Sequence, residues 1–146
     1  MKQNIIKYIS ALFGAISGLF GGCDALLNVL LGCIVIDYIS GMLVALYGKS
    51  NKTDDGKLSS IAGAKGLAKK AMIMLSVILA YMLDTAIGAN TAFRNATILF
   101  YVANEALSFL ENLNAMGIPF PQKIKSILSE MNTKDILDNK NEENNI

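Results

Sequence analysis

Apolar residues run through this chain in long blocks, and the polar positions inside each block gather on one side of a helix. The most continuous block is Ala25–Tyr47, ALLNVLLGCIVIDYISGMLVALY, with Asp37 as its one charge. At about 1.5 Å of rise per residue such a helix covers roughly 35 Å, enough for a hydrocarbon core of about 30 Å. Asp37 then lies near the midplane, where a carboxylate left facing lipid is costly and so marks a functional or assembly residue. The competing reading is a soluble core helix whose acid is satisfied internally. Cys33, Asp37, Ser40, Gly41, Val44 and Gly48 share one face, which predicts a small and polar seam turned towards protein or water.

Three further blocks read as spans. Residues 8–22 place Ser10, Gly14, Ser17, Gly18 and Gly21 at three- and four-residue intervals, so that Gly14 and Gly18 would let a neighbouring helix approach closely in lipid. The segment is short for a span, and a helix lying on the surface is its alternative. Gly21-Gly22-Cys23-Asp24 follows as a tight turn. Residues 71–89 repeat Ser76, Ala80, Asp84 and Gly88 along one side, with Ala80 as a packing position. Asp84 would come near the outer end, either paired with Arg94 across the hairpin or solvated separately.

Residues 93–113 carry the clearest amphipathic pattern. Arg94, Thr97, Tyr101, Asn104, Glu105, Ser108, Glu111 and Asn112 fall within roughly a third of the circumference at about 100° per residue. Such a stripe must face water, another stripe or the membrane interface. Spanning and interfacial placements both satisfy it. Gly117-Ile118-Pro119-Phe120-Pro121 then breaks the chain, and residues 122–131 restart as a short amphipathic helix with Ile124, Ile127, Leu128 and Met131 opposite Lys123 and Lys125. That pattern suits the inner membrane surface. Residues 132–146 are too polar to pack and are expected to be disordered. The fold expected is therefore a single all-α membrane domain over 1–131, with about four transmembrane helices in two hairpins.

Composition agrees: 53% of residues are hydrophobic and 17% charged, against about 25% charged in soluble domains. No uncharged run reaches the ~18 residues of the simplest spanning rule, the longest being Tyr8–Cys23. The interrupting charges, however, sit at predicted turns or alone on a face. The polar segment Gly48–Lys70 carries Lys49, Lys52, Lys57, Lys65, Lys69 and Lys70, and the positive-inside rule makes it cytoplasmic. With four spans both termini are cytoplasmic too, and of the 13 basic residues only Arg94 lies outside. Ser59 and Ser60 are candidate caps of a short helix leading through Gly63 and Gly66 into the next span.

The chemistry available is narrow. The chain has no histidine, and Cys23 and Cys33 match no zinc or redox spacing. Most nucleophile–base pairs are thereby removed, so no enzyme, cofactor or metal site is expected. Gly63-Ala64-Lys65-Gly66 lacks the spacing of a phosphate loop. The lysine cluster fits orientation and anionic-lipid contact rather than nucleic acid. Leu30-Leu31-Gly32-Cys33 looks like a lipoprotein box but has no basic region immediately before its apolar run.

Taken together, Asp37-Tyr-Ile-Ser40-Gly41, Lys57-Leu-Ser59-Ser60 with Gly63, Gly66, Lys69 and Lys70, then Asp84, Arg94, NEALSFLEN at 104–112 and Gly117-Ile-Pro119-Phe-Pro121 resemble a known family. It is the small bacteriophage holins that include clostridial holin-like toxin-secretion proteins, and the likeness runs from about Leu31 to Leu128. The resemblance implies a protein of the bacterial cytoplasmic membrane that homo-oligomerises and opens lesions for a cell-wall hydrolase or a large toxin, with no catalytic site. The residues, rather than the family, nominate Asp37, Ser40, Gly41, Asp84, Arg94, Thr97, Tyr101, Asn104, Glu105, Ser108 and Glu111 as pore-lining or assembly positions. An antiholin that delays a partner, or a small transporter or accessory subunit, are the alternatives. Against a transporter, no inverted repeat or paired broken helix is present.

Overall fold

The computed structural model describes residues 2–53 and 55–130, and among them every regular element is helical. Four long helices follow in order: α1 (Lys2–Leu19), α2 (Ala25–Leu46), α3 (Ser60–Ile87) and α4 (Ala92–Ala115). A short fifth, α5, covers 122–130 after Pro121. The tail 132–146 and Met131 lie outside the described residues.

Helix α2 begins one residue after Asp24, whose carboxylate accepts the Leu27 N–H at 2.9 Å and caps the helix. The preceding turn uses Gly21 and Gly22 at φ +75° and +102°, a region open mainly to glycine. Helix α1 ends before that turn, at Leu19, and starts earlier than the predicted 8–22. The larger difference is in α3. It starts at Ser60 rather than 71, capped by the Ser59 hydroxyl, which accepts the Ala62 N–H at 3.4 Å. The predicted short helix and the third span are thus one continuous helix of 28 residues. Gly63 and Gly66 do not break it, because the Tyr38 ring of α2 lies over both, about 4 Å from where side chains would begin. Glycine's lack of bulk here serves helix approach.

Helix α4 packs closely against both α2 and α3, whose backbones approach each other less and which meet mainly through the Tyr38 and Lys70 side chains. Asp24 and Arg94 meet at the starts of α2 and α4, while Asp37 meets Asn112 further along both. These two helices therefore run parallel, with α3 antiparallel to them. Buried positions in α3 are Lys70, Ile73, Val77, Ala80 and Asp84, a strict alternation of three and four. The buried or half-buried positions Leu27, Leu30, Ile34, Asp37, Gly41 and Val44 of α2 keep the same rhythm. So do Arg94, Ile98, Tyr101, Glu105, Ser108 and Asn112 of α4. A seven-residue period on all three helices is the pattern of side chains interdigitating along a shared seam.

The apolar part of that seam is small: Leu27, Leu30, Ile73, Val77 and Ile98, flanked by Phe20, Leu26, Ile34, Met74, Tyr101 and Val102. Most large apolar side chains point outwards, among them Val35, Ile36, Leu43 and Leu46 of α2 and Leu75, Leu79, Met82 and Ile87 of α3. Soluble monomers rarely show apolar patches beyond a few hundred Å², whereas lipid-facing helices must. By length and apolarity α2 and α3 qualify as membrane spans, with about a fifth of each critical window buried. The apolar stretch Ile5–Leu19 of α1 is shorter, and its residues, including Tyr8, Leu12 and Phe13, are exposed. A side chain added at Gly14 or Gly18 would meet nothing within 4 Å, so none of the described helices approaches there. Ile124 and Ile127 of α5 are likewise exposed.

Candidate functional site

Two polar clusters bracket the apolar core. At about 1.5 Å per residue they lie roughly 20 Å apart along the helices. The first joins the helix ends. Asp84, near the end of α3, accepts the backbone N–H of Phe93 at 2.9 Å and of Arg94 at 2.8 Å. It takes the place of an N-cap for α4, whose own cap residue Thr91 stands at φ +66° with no capping bond. A carboxylate at the positive end of a helix gains from the aligned peptide dipoles as well.

The Arg94 side chain, 1% exposed, turns away from Asp84 towards the α1–α2 turn. It donates to Asp24 at 2.8 Å, to the Gly22 carbonyl at 3.1 Å and to the Phe20 carbonyl. Asp84 and Arg94 are thus joined through the backbone of α4, neither ion-paired across the hairpin nor separately solvated, and the ion pair of Arg94 is made with Asp24. The Arg94 guanidinium beside Asp24, with the Leu27 N–H, holds that carboxyl below the usual carboxylate value. Since half of the Asp24 side chain is open to solvent, the pair is screened and mainly sets the angle of the turn.

The second cluster lies inside the seam. The Lys70 ammonium donates to Asp37 at 2.7 Å and to Glu105, joining all three packed helices. The Lys70, Asp37 and Glu105 side chains are 10%, 5% and 2% exposed. Asn112 donates to the other Asp37 oxygen at 3.1 Å and to the Ser40 hydroxyl at 2.8 Å. That hydroxyl in turn donates to the Asp37 carbonyl at 2.9 Å. Every polar atom of Asp37 therefore has a partner, the condition under which a charge tolerates burial. Between the clusters, the Tyr101 hydroxyl donates to Ser76 at 3.3 Å.

The nominated residues sort accordingly. Asp37, Ser40 and Glu105 share one cluster, and Asp84 and Arg94 the other. Ala80 is buried in the seam, with Gly41 beside Asn112. Thr97 and Asn104 are half-buried with no side-chain partner among the described residues. Ser108 and the exposed Glu111 line a cleft above the Lys70 cluster. Lys70 itself was read as the last residue of the cytoplasmic loop. The signal that would have found it is the spacing 70, 73, 77, 80, 84. Among the described residues no group of acids and cysteines could hold a metal ion.

This arrangement of apolar-faced helices around a buried ionic seam is accompanied by a clear relationship to known proteins. Residues 14–133 match the bacteriophage holin family, so the chain belongs to that family, whose members form pores in membranes. It is 36% identical over 98 residues to a probable holin of Bacillus phage phi105, covering 67% of each chain. It is also 43% identical over 125 residues to an uncharacterised protein of Listeria monocytogenes, covering 85% of this chain and 84% of the relative. A Clostridium perfringens protein is 35% identical over 137 residues, covering 90% of this chain and 98% of its own length. No solved structure matches the chain.

Proposed function

We propose that the protein is a holin that accumulates in the bacterial cytoplasmic membrane, oligomerises and opens lesions through which a cell-wall hydrolase, or a large toxin, leaves the cell. The carrying observation is the Lys70–Asp37–Glu105 cluster, an ionic group buried between helices whose outer faces are apolar. In a resting monomer the polar stripe of α4 is hidden against the seam of α2 and the lysine of α3. At high density, subunits exchange these contacts for contacts between chains, and the stripe comes to line water. Van der Waals packing changes little in such an exchange, since lipid tails are as apolar as leucine; the buried charges decide its energetics.

In this reading all four long helices cross the membrane, both termini are cytoplasmic and α5 lies at the inner surface. Asp37, Glu105, Tyr101, Asn104 and Ser108 face the lesion. Arg94 and Asp84 hold the outer hairpin. Inducible expression in a bacterium carrying a cytoplasmic wall hydrolase tests the function. Abrupt lysis that needs both proteins is expected. Delay of a partner's lysis without depolarisation by this chain alone would make it an antiholin, and solute-specific uptake without loss of viability a transporter.

A further inference from the structure

Beyond the buried cluster, the chain holds a cleft of about 450 Å³ that opens where α2 ends and α3 begins. Its inner end is closed by Lys70 and its two acids. One side is the turn between the helices, and this turn is built rather than loose. Ser50 donates its N–H to the Gly56 carbonyl at 3.0 Å, the Thr53 hydroxyl donates to the Lys57 carbonyl at 3.0 Å, and Asp55 accepts the Lys57 N–H at 3.1 Å. Gly56, at φ +70°, lies so close to Gly48 that any side chain would meet its carbonyl at 2.4 Å. The turn thereby carries the Lys52 ammonium inwards, to 3.8 Å from where a Gly41 side chain would begin.

The lining divides into two chemistries. Lys52, Lys57, Lys65 and Lys69 supply four ammonium groups, and none of them forms an ion pair among the described residues. Beyond the Lys70 cluster, Glu111 is the one acid lining the cleft among the described residues. Met42, Ala45, Leu58 and Ala62 make an apolar wall beside these charges. A volume of this size matches ordinary small-ligand sites, about 300–1,000 Å³. An occupant must be anionic at one end and apolar at the other, and must be available at the end of two membrane-spanning helices.

We infer that this cleft binds the headgroup of an anionic phospholipid, its phosphate among Lys52, Lys65 and Lys69 and the start of its acyl chains against Met42 and Ala62. Juxtamembrane lysines draw such lipids to the membrane surface, and a walled cleft adds a fixed geometry to that attraction. A bound lipid would brace the start of α3 against the end of α2, next to the cluster that joins α3 to both neighbours. The inference rests on the membrane placement above but not on lesion formation.

Native mass spectrometry of the full chain, released from micelles holding equal phosphatidylglycerol and phosphatidylcholine, tests it. Phosphatidylglycerol should be retained in preference. The combined variant Lys52→Gln, Lys65→Gln, Lys69→Gln should retain at least five-fold less, whereas Lys123→Gln with Lys125→Gln, on α5 and not among the residues lining the cleft, should retain as much as the parent. If the triple variant fails to fold, Lys65→Gln and Lys69→Gln singly should each lower retention about two-fold. Equal retention of both lipids, or an equal loss in the α5 variant, would overturn the site. Glycerol 3-phosphate distinguishes the source of the phosphate: it should leave retention unchanged, and full displacement by it would assign the cleft to a soluble anion instead. Lysis assays play no part in this readout, so failure of the holin reading and failure of this one are separable.

Discussion

Asp37 and Glu105 stand on parallel helices and are held by the same ammonium, that of Lys70 on the antiparallel helix between their ends. The three groups are unequal in the buried seam: removing Lys70 leaves two facing carboxylates with no counter-charge, whereas removing either acid leaves one matched pair. In a soluble protein the apolar core would dominate such a cluster. Here the core is a handful of side chains and, in the membrane placement proposed above, the surroundings are lipid, so the ionic group carries a larger share of what keeps α2, α3 and α4 together.

Lys70→Met is therefore expected to destabilise the folded monomer by about 3–5 kcal/mol, the range for breaking a buried pair from one side. Thermal unfolding in detergent measures it. Adding Asp37→Asn and Glu105→Gln should recover much of the loss, since the stranded charges are gone. In cells the single variant should lyse early, and unchanged timing in both variants would separate the cluster from gating.

Arg94→Lys should loosen the α1–α2 turn, because an ammonium cannot reproduce the fork that reaches Phe20, Gly22 and Asp24 together. A loss of about 2–4 kcal/mol is expected. Amide exchange should rise at residues 20–24 while remaining unchanged around Lys70.

Acid should act through Asp24. Its carboxyl is lowered in the folded state, first by the Arg94 hydrogen bond and second by the Leu27 N–H. The unfolded chain thus takes up a proton more readily, and the stabilisation is complete above an unfolded value of about 3.8 and is lost as pH falls through the lower folded value. Melting temperatures measured from pH 6 to pH 3 should fall less steeply in Asp24→Asn, which keeps the helix cap but removes the charge.

Gly21→Ala should destabilise for two separable reasons. Its φ of +75° strains any L side chain, and a methyl group would lie 2.6 Å from the Tyr81 ring. The first costs about 1–2 kcal/mol. Tyr81→Ala in the same chain should relieve the second only. Equal melting points for the single and double variants would show that the ring moves aside freely.

Much of this was legible in the amino-acid pattern. The boundaries of α2, its Asp24 turn and the amphipathic stripe of α4 follow from local periodicity and from glycine and aspartate at turns. The similar depth of Asp37 and Glu105 was legible, but their shared partner was not, because Lys70 follows Lys69 in a lysine-rich segment and reads as a rim charge. Only the seven-residue spacing from Lys70 to Asp84 places it inside. Similarly, the partner of Arg94 is decided by the path of the α1–α2 turn, and sequence proximity suggested only Asp84, as a pair or as a separately solvated charge. For α1, periodicity marks Gly14 and Gly18 as an approach face, yet nothing among the described residues covers it.

Thiol accessibility of the α4 stripe tests the central claim most directly. In a chain with Cys23 and Cys33 replaced by serine, Tyr101→Cys and Leu99→Cys report the seam face and the exposed lipid face of the same helix. A membrane-impermeant maleimide should leave both unlabelled before lysis begins and label the Tyr101 position alone once it has begun. Labelling of Tyr101→Cys from the outset, or none after lysis has started, would contradict a seam that turns from protein to water.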